Sequence, residues 1–207
     1  MNYDALIVDF GGVLTTPLQD SMVAFAQTEG IDVQDLIRAA LAAYAGGEDD
    51  LVVRFETGHI EEAEFVQHFA ARLEEVSGKR IDPEGLLGRL LSGLRLEAEM
   101  IDLLRRAKAK GYKTALLSNS WGTTSYPMDL LNEVCDVIVI SGEVGMRKPD
   151  PEIFTFTLDQ LGVEAGRAVF VDDHPGHLKT AVEIGMTTVL HRDPQSSVAE
   201  VAELLTL

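Results

Sequence analysis

A chain of 207 residues with 46% hydrophobic and 25% charged side chains has the composition of a globular protein, one large domain or two small ones, and excludes wholesale disorder. Its 34 acidic against 17 basic residues leave a net charge of −17, a field that repels phosphate backbones and anionic lipid and so argues against nucleic acid and membrane surfaces as partners. No apolar run approaches the roughly 18–20 residues of a membrane span, and the N-terminus carries no basic leader, so the expected compartment is the cytoplasm.

Taken in chain order, the first element is a strand at Ala5–Asp9. Four helical stretches follow, Leu18–Thr28, Val33–Ala45, Glu61–Val76 and Pro83–Leu91, punctuated by Gly30, Gly46-Gly47, Gly58 and Gly78. Ala98–Lys110 has helical spacing and stops at Gly111. A strand at Lys113–Ser118 is followed by another at Asp136–Ile140, beside a single cysteine, Cys135, whose apolar neighbours predict a buried, inert thiol. Pro151–Leu161 reads as a helix with Asp150 as N-cap, Pro151 in its first turn and Gly162 after its end. The remaining elements are a strand at Ala168–Asp172, a helix at Leu178–Ile184, a strand at Thr187–Leu190 and a last helix opened by Ser197 and Glu200 as a capping box.

The five strand segments are short, continuous in Val, Ile and Leu rather than alternating, and separated by helices in the second half of the chain. Strands buried on both faces read this way, which predicts an α/β fold with a parallel sheet covered by helices on both sides. About 100 residues lie between the first two strands, where a simple crossover needs about 30. Residues 16–96 are therefore expected to form an inserted helical domain, with residues 1–15 and 97–207 forming the sheet domain.

Open parallel sheets bind ligands beyond the carboxyl ends of their strands. Here those ends carry Asp9-Phe10-Gly11-Gly12, Ser118-Asn119-Ser120, a loop reaching Lys148, and Asp172-Asp173. Three carboxylates and one lysine would share an edge, and two carboxylates about 5 Å apart repel by roughly 3 kcal/mol at an effective dielectric near 20. Protonation or a divalent cation must compensate, and all-oxygen donors suit Mg²⁺. Each element alone has an ordinary explanation, such as a turn, a cap or a solvated lysine. Their joint occurrence at successive strand ends carries the signal.

These residues resemble the haloacid dehalogenase-like hydrolase superfamily across essentially the whole chain. Ile7-Val8-Asp9-Phe10-Gly11-Gly12-Val13-Leu14 is similar to its first motif, Leu116-Leu117-Ser118-Asn119 to the second, Lys148-Pro149 to the third and Val169-Phe170-Val171-Asp172-Asp173 to the fourth. Within the superfamily the chain most resembles the phosphatase-like N-terminal domain of soluble epoxide hydrolase and bacterial sugar-phosphate phosphatases. The resemblance implies a Rossmann-like core, an all-helical C1-type cap at residues 16–96, and a Mg²⁺-dependent phosphomonoesterase acting on a small phosphorylated metabolite. It implies Asp9 as nucleophile, forming an aspartyl-phosphate. Mg²⁺ would be held by Asp9, the Gly11 carbonyl and Asp172, with Asp173 as ligand or close support. Ser118, with backbone N–H groups around Gly11, Gly12 and Asn119, would hold phosphate oxygens, and Lys148 would neutralise charge on Asp9 and the transferring group.

Two positions depart from the family pattern. Phosphatases of the superfamily usually carry a second Asp two residues after the nucleophile, as general acid and base, where this chain has Gly11. A positioned acid is worth about 10²–10⁴-fold. His177 stands where Asn or Asp is frequent; it and His174 read as ordinary loop histidines, with substitute acid as the second reading. A 2-haloacid dehalogenase also lacks that second Asp but needs no metal, and a catalytically weakened binding protein is the third reading.

Overall fold

The computed structural model describes residues 2–44, 50–122 and 126–207. Ala45 and the Gly46-Gly47 pair, expected to close a helix, lie outside the described residues. Five strands, β1 (Ala5–Val8), β2 (Lys113–Ser118), β3 (Val137–Ile140), β4 (Ala168–Asp172) and β5 (Thr187–Leu190), form one parallel sheet in the order β3-β2-β1-β4-β5. All five segments expected from the sequence are strands.

Alternation along β1 explains why these runs are continuously apolar. Leu6 and Val8 face one side with Leu116, Val169 and Val171, packed beneath α6 (Ala98–Ala109) and α11 (Pro194–Leu205). Ala5 and Ile7 face the other with Ala115, Leu117 and Phe170, beneath α9 (Pro151–Leu161) and α10 (Pro175–Glu183). Both faces of each central strand are thus removed from water. The chain leaves β1 toward β2 on one side and returns to β4 on the other. That reversal opens a crevice at the carboxyl ends of β1 and β4.

Among the described residues, five helices lie between β1 and α6: α1 (Leu18–Glu29), α2 (Val33–Tyr44), α3 (Leu51–Glu56), α4 (Glu62–Ser77) and α5 (Leu86–Leu91). They bury their own cluster, including Phe25, Leu36, Phe55, Phe65, Phe69 and Leu73. Phe55 stacks on Phe65 at 4.2 Å between ring centroids, and Trp121, from the loop after β2, meets Phe65 edge-on at 6.3 Å. The two segments joining these helices to the sheet run antiparallel. Thr16 N–H donates to Arg95 O at 2.8 Å and Glu97 N–H to Leu14 O at 2.9 Å, around a bridge between Thr15 and Leu96.

Several helix boundaries differ from expectation. The stretch read as helical from Pro83 is a helix only from Leu86, because Gly85 takes a left-handed φ of 63° that a helix interior does not accommodate. The Ser197/Glu200 capping box is not formed. Asp193 opens α11 by accepting from Ser196 N–H at 2.8 Å, with Pro194 in the first turn, and Ser197 lies inside the helix with its hydroxyl on His191 Nδ1 at 2.9 Å. α10 begins at Pro175, ahead of Leu178, and α9 begins after Asp150 without a hydrogen bond from that side chain. The short helices α3, α7 (Met128–Val134) and α8 (Ser141–Val144) carry too few turns for periodicity to mark them. Cys135 is buried, and burial pushes its thiol up to about 12. No described helix is long and apolar enough to cross a membrane.

Candidate active site

Register sets the site. Val8 pairs with Val171 in the ladder, so the next residues, Asp9 and Asp172, emerge side by side at the carboxyl edge. Lys148 approaches from the loop after α8. Asn119 holds that loop, donating from Nδ2 to Lys148 O at 2.9 Å and accepting at Oδ1 from Lys148 N–H at 2.8 Å. The Lys148 ammonium, wholly buried, then bridges Asp9 Oδ1 at 2.8 Å and Asp172 Oδ2 at 2.7 Å.

The charges respond to this packing. Burial pushes Asp9 up to about 6, against the pull of Lys148. Burial would also raise Asp172, but Lys148 and His177 outweigh it and hold its carboxyl near 2. Burial opposes the Lys148 charge, yet the two carboxylates more than offset it and leave its pKa raised. Asp172 accepts from every side: Lys148, His174 N–H at 2.7 Å on Oδ1, and the His177 ring at 3.0 Å. An ionised carboxylate only accepts, so His177 Nδ1–H is the donor. His174 lies in the loop that leads into α10, whereas His177 is a helix residue. His174 is the N-cap of α10, its ring accepting from Gly176 N–H, and His177 lies in the first turn.

A cavity of about 680 Å³ opens above Asp9. Asp9, Gly11, Gly12, Ser118, Asn119, Asp173, His174 and His177 line it; Lys148 and Asp172 sit behind its wall. Asp173 lies against Gly12, where a Cβ would come within 2.5 Å of its carboxylate, and the φ of 75° at Gly12 adds a second reason for glycine. Gly12 N–H donates to Thr15 Oγ1 at 3.2 Å. Gly11 is different: it is exposed, and a Cβ built there meets nothing within 4 Å. Partial burial, and then Asp172, raise the Asp173 pKa.

The donor set fits a divalent cation. Ligating atoms of Asp9, Asp172 and His177 lie within 4.8 Å of one another. Three carboxylates face one ammonium, and burial first, with repulsion from Asp172 behind it, raises two of the three pKa values. Asp172 has its oxygens engaged by Lys148, His177 and His174 N–H. The Asp9 and Asp173 carboxylates keep accepting capacity beyond these bonds, and hard oxygen donors favour Mg²⁺.

Sequence reasoning missed several contributors. Tyr126 OH shares a hydrogen bond with Ser118 Oγ at 2.9 Å, and its ring packs on Phe10 at 4.7 Å. Glu56 of α3, nearly inaccessible, accepts from Arg147 Nε at 2.8 Å, and its carbonyl accepts from Ser141 Oγ, fastening the helical insert to the residue beside Lys148. These partners lie up to 91 residues apart, a separation no local pattern encodes.

The chain is similar in sequence and in fold to known proteins. Over 97% of its length the chain is 30% identical to bifunctional epoxide hydrolase 2 of Sus scrofa, spanning 38% of that protein. It is 29% identical over 73% of its length to flavin mononucleotide hydrolase 1 of Arabidopsis thaliana, spanning 61% of it. Among solved structures, an enzyme of Bacteroides thetaiotaomicron in complex with magnesium and inorganic phosphate superposes with a TM-score of 0.68 at 23% identity, over 92% of this chain and 95% of the other. The model of the haloacid dehalogenase-like hydrolases matches residues 3–185, and the chain belongs to that family of hydrolases.

Proposed function

We propose that the protein is a Mg²⁺-dependent phosphomonoesterase of small phosphorylated metabolites, with Asp9 as nucleophile. The observation that carries this reading is the division of labour at Asp9. Oδ1 is held by Lys148 at 2.8 Å and by the Phe10 N–H at 2.7 Å, while the carboxylate lines the cavity. Oδ2 is then the attacking oxygen. Its attack on phosphorus breaks the ester P–O bond and leaves an aspartyl-phosphate, which water cleaves to phosphate and free Asp9. Lys148 acts from behind, keeping Asp9 ionised and aimed. Ser118 and the backbone N–H groups near Gly12 and Asn119 hold phosphate oxygens.

Asp9, the Gly11 carbonyl, Asp173 and Asp172 are the groups that would hold Mg²⁺, which when bound screens the anionic phosphate from the anionic nucleophile. Residues 16–96 serve as a C1-type cap that roofs the cavity, with the paired segments at Thr15–Thr16 and Arg95–Glu97 as its base. The relative named for flavin mononucleotide hydrolysis and the neighbour holding magnesium and phosphate support the reading.

With p-nitrophenyl phosphate as substrate, EDTA should abolish turnover and Mg²⁺ restore it. Asp9→Asn should lower kcat at least about 10³-fold without changing the fold. Full activity in excess chelator, on chloroacetate rather than the phosphate, would instead make the protein a metal-free haloacid dehalogenase. An Asp9→Asn variant within tenfold of the parent would remove Asp9 from the nucleophile's role.

A further inference from the structure

Beside the carboxylates at the sheet edge stands a donor of a different chemistry. His177 lies in the first turn of α10, and its Nδ1 is 3.0 Å from both oxygens of Asp172. The side chain is 14% exposed, lines the cavity and rests its ring on that of His174, with 4.5 Å between centroids. Among the described residues, Asp9, Asp172 and His177 form a group whose ligating atoms all lie within 4.8 Å of one another. Asp173 is not in that group; its carboxylate lies against Gly12. The Nδ1 of His174 is already engaged, accepting from Gly176 N–H.

We infer that His177 is itself a metal ligand, and that the centre therefore binds a borderline transition-metal cation, Mn²⁺ or Co²⁺, more tightly than Mg²⁺. The inference rests on the reading that a divalent cation sits at Asp9 and Asp172, and is independent of the reaction catalysed there. Neighbouring donors on one octahedral ion, each about 2.1 Å from it, stand about 3.0 Å apart. That is the separation of His177 Nδ1 from the Asp172 oxygens. The Nδ1 hydrogen now spans this gap. With the proton on Nε2 instead, the imidazole remains neutral and Nδ1 presents a lone pair beside the carboxylate, the form in which histidine binds metals. Mg²⁺ is hard and favours oxygen, whereas imidazole suits the later divalent ions. A nitrogen in the donor set thus adds affinity for those ions and little for Mg²⁺. A histidine that only steadied Asp172 would strengthen every divalent ion alike, which separates the two roles.

Mn²⁺ alone, added to the full chain and observed by electron spin echo spectroscopy, tests this. The bound ion should show a directly coordinated nitrogen, and growth on ¹⁵N-histidine should change its modulation to that of ¹⁵N. His177→Asn, which sets at this position a residue frequent there in the family, should remove the coupling. His174→Asn should keep it, and this variant assigns the nitrogen to His177 if the first does not fold. In calorimetric titrations of the native chain, affinity should rise from Mg²⁺ to Mn²⁺ to Co²⁺. His177→Asn should weaken Co²⁺ by about tenfold or more and Mg²⁺ by less than about threefold. Bound Mn²⁺ without histidine nitrogen, a coupling lost with His174 instead, Mg²⁺ bound as tightly as Co²⁺, or equal losses of both ions in His177→Asn overturns the inference and leaves the divalent-cation reading standing. Failure of all three ions to bind overturns both.

Discussion

Lys148 shows what burial does to a side chain that sequence alone treats as surface. Its place after a strand was legible, as was its pairing with a carboxylate cluster, because the motif order sets both. Its total burial was not, since that depends on Asn119 gripping the loop from another strand end. Removing one partner of a buried ionic network strands the others, at a cost of about 3–5 kcal/mol. Lys148→Met should therefore lower both kcat, by at least about 10²-fold, and the thermal midpoint in chelator. An unchanged midpoint would mean that Asp9 and Asp172 find other partners. Gly11 is the converse case. Its identity was readable, but its surroundings were not, and the structure shows open space where a side chain would go. With no acid there, the leaving oxygen departs unprotonated, so log(kcat/KM) should fall steeply as leaving-group pKa rises. Gly11→Asp should flatten that line by restoring a proton donor, worth about 10²–10⁴-fold for basic leaving groups. A flat line in the parent, with chemistry rate-limiting, would assign the proton to another group, His174 or His177 first.

At the scale of elements, the sheet was legible because burial on both faces writes a continuous apolar signature into each strand. Helices of three turns or more were legible for the same reason at their own period. α3 was not, although it places Glu56 against Arg147; α5, equally short, was read only within the longer apolar stretch Pro83–Leu91. The C-terminal turn of α3 lies against α8. Gly58 has a φ of 70°, and a Cβ there would stand 2.3 Å from the Gly142 carbonyl oxygen. Backbone cannot yield as a flexible side chain does, so Gly58→Ala should push α3 away from α8 and loosen the Glu56–Arg147 pair. The expected cost is about 1–3 kcal/mol, together with a raised KM. A variant with the parent's KM and midpoint would show that this contact does not set the roof's position.

Over the whole molecule, charge and site pull in opposite directions. A net charge of −17 repels a phosphate dianion before it reaches the cavity. Composition left open whether a local cation reverses that field. The structure supplies the missing positions: the Lys148 ammonium lies behind the wall between two carboxylates, and Arg147 is paired with Glu56, so neither presents a free positive charge to an approaching anion. Arg95 is exposed, one charge against many. The mean field should therefore govern approach, with the metal acting at short range. At about 0.01 M ionic strength the Debye length is roughly 30 Å, and repulsion acts across the molecule; at 0.15 M it is about 8 Å. Raising salt over that interval at saturating Mg²⁺ should lower KM for p-nitrophenyl phosphate severalfold and leave kcat nearly constant, since screening helps the anion arrive and does little once it is bound. A KM that rises with salt would mean that Arg95 and the metal together outweigh the acidic surface, and that the substrate is drawn in by attraction at the cavity mouth.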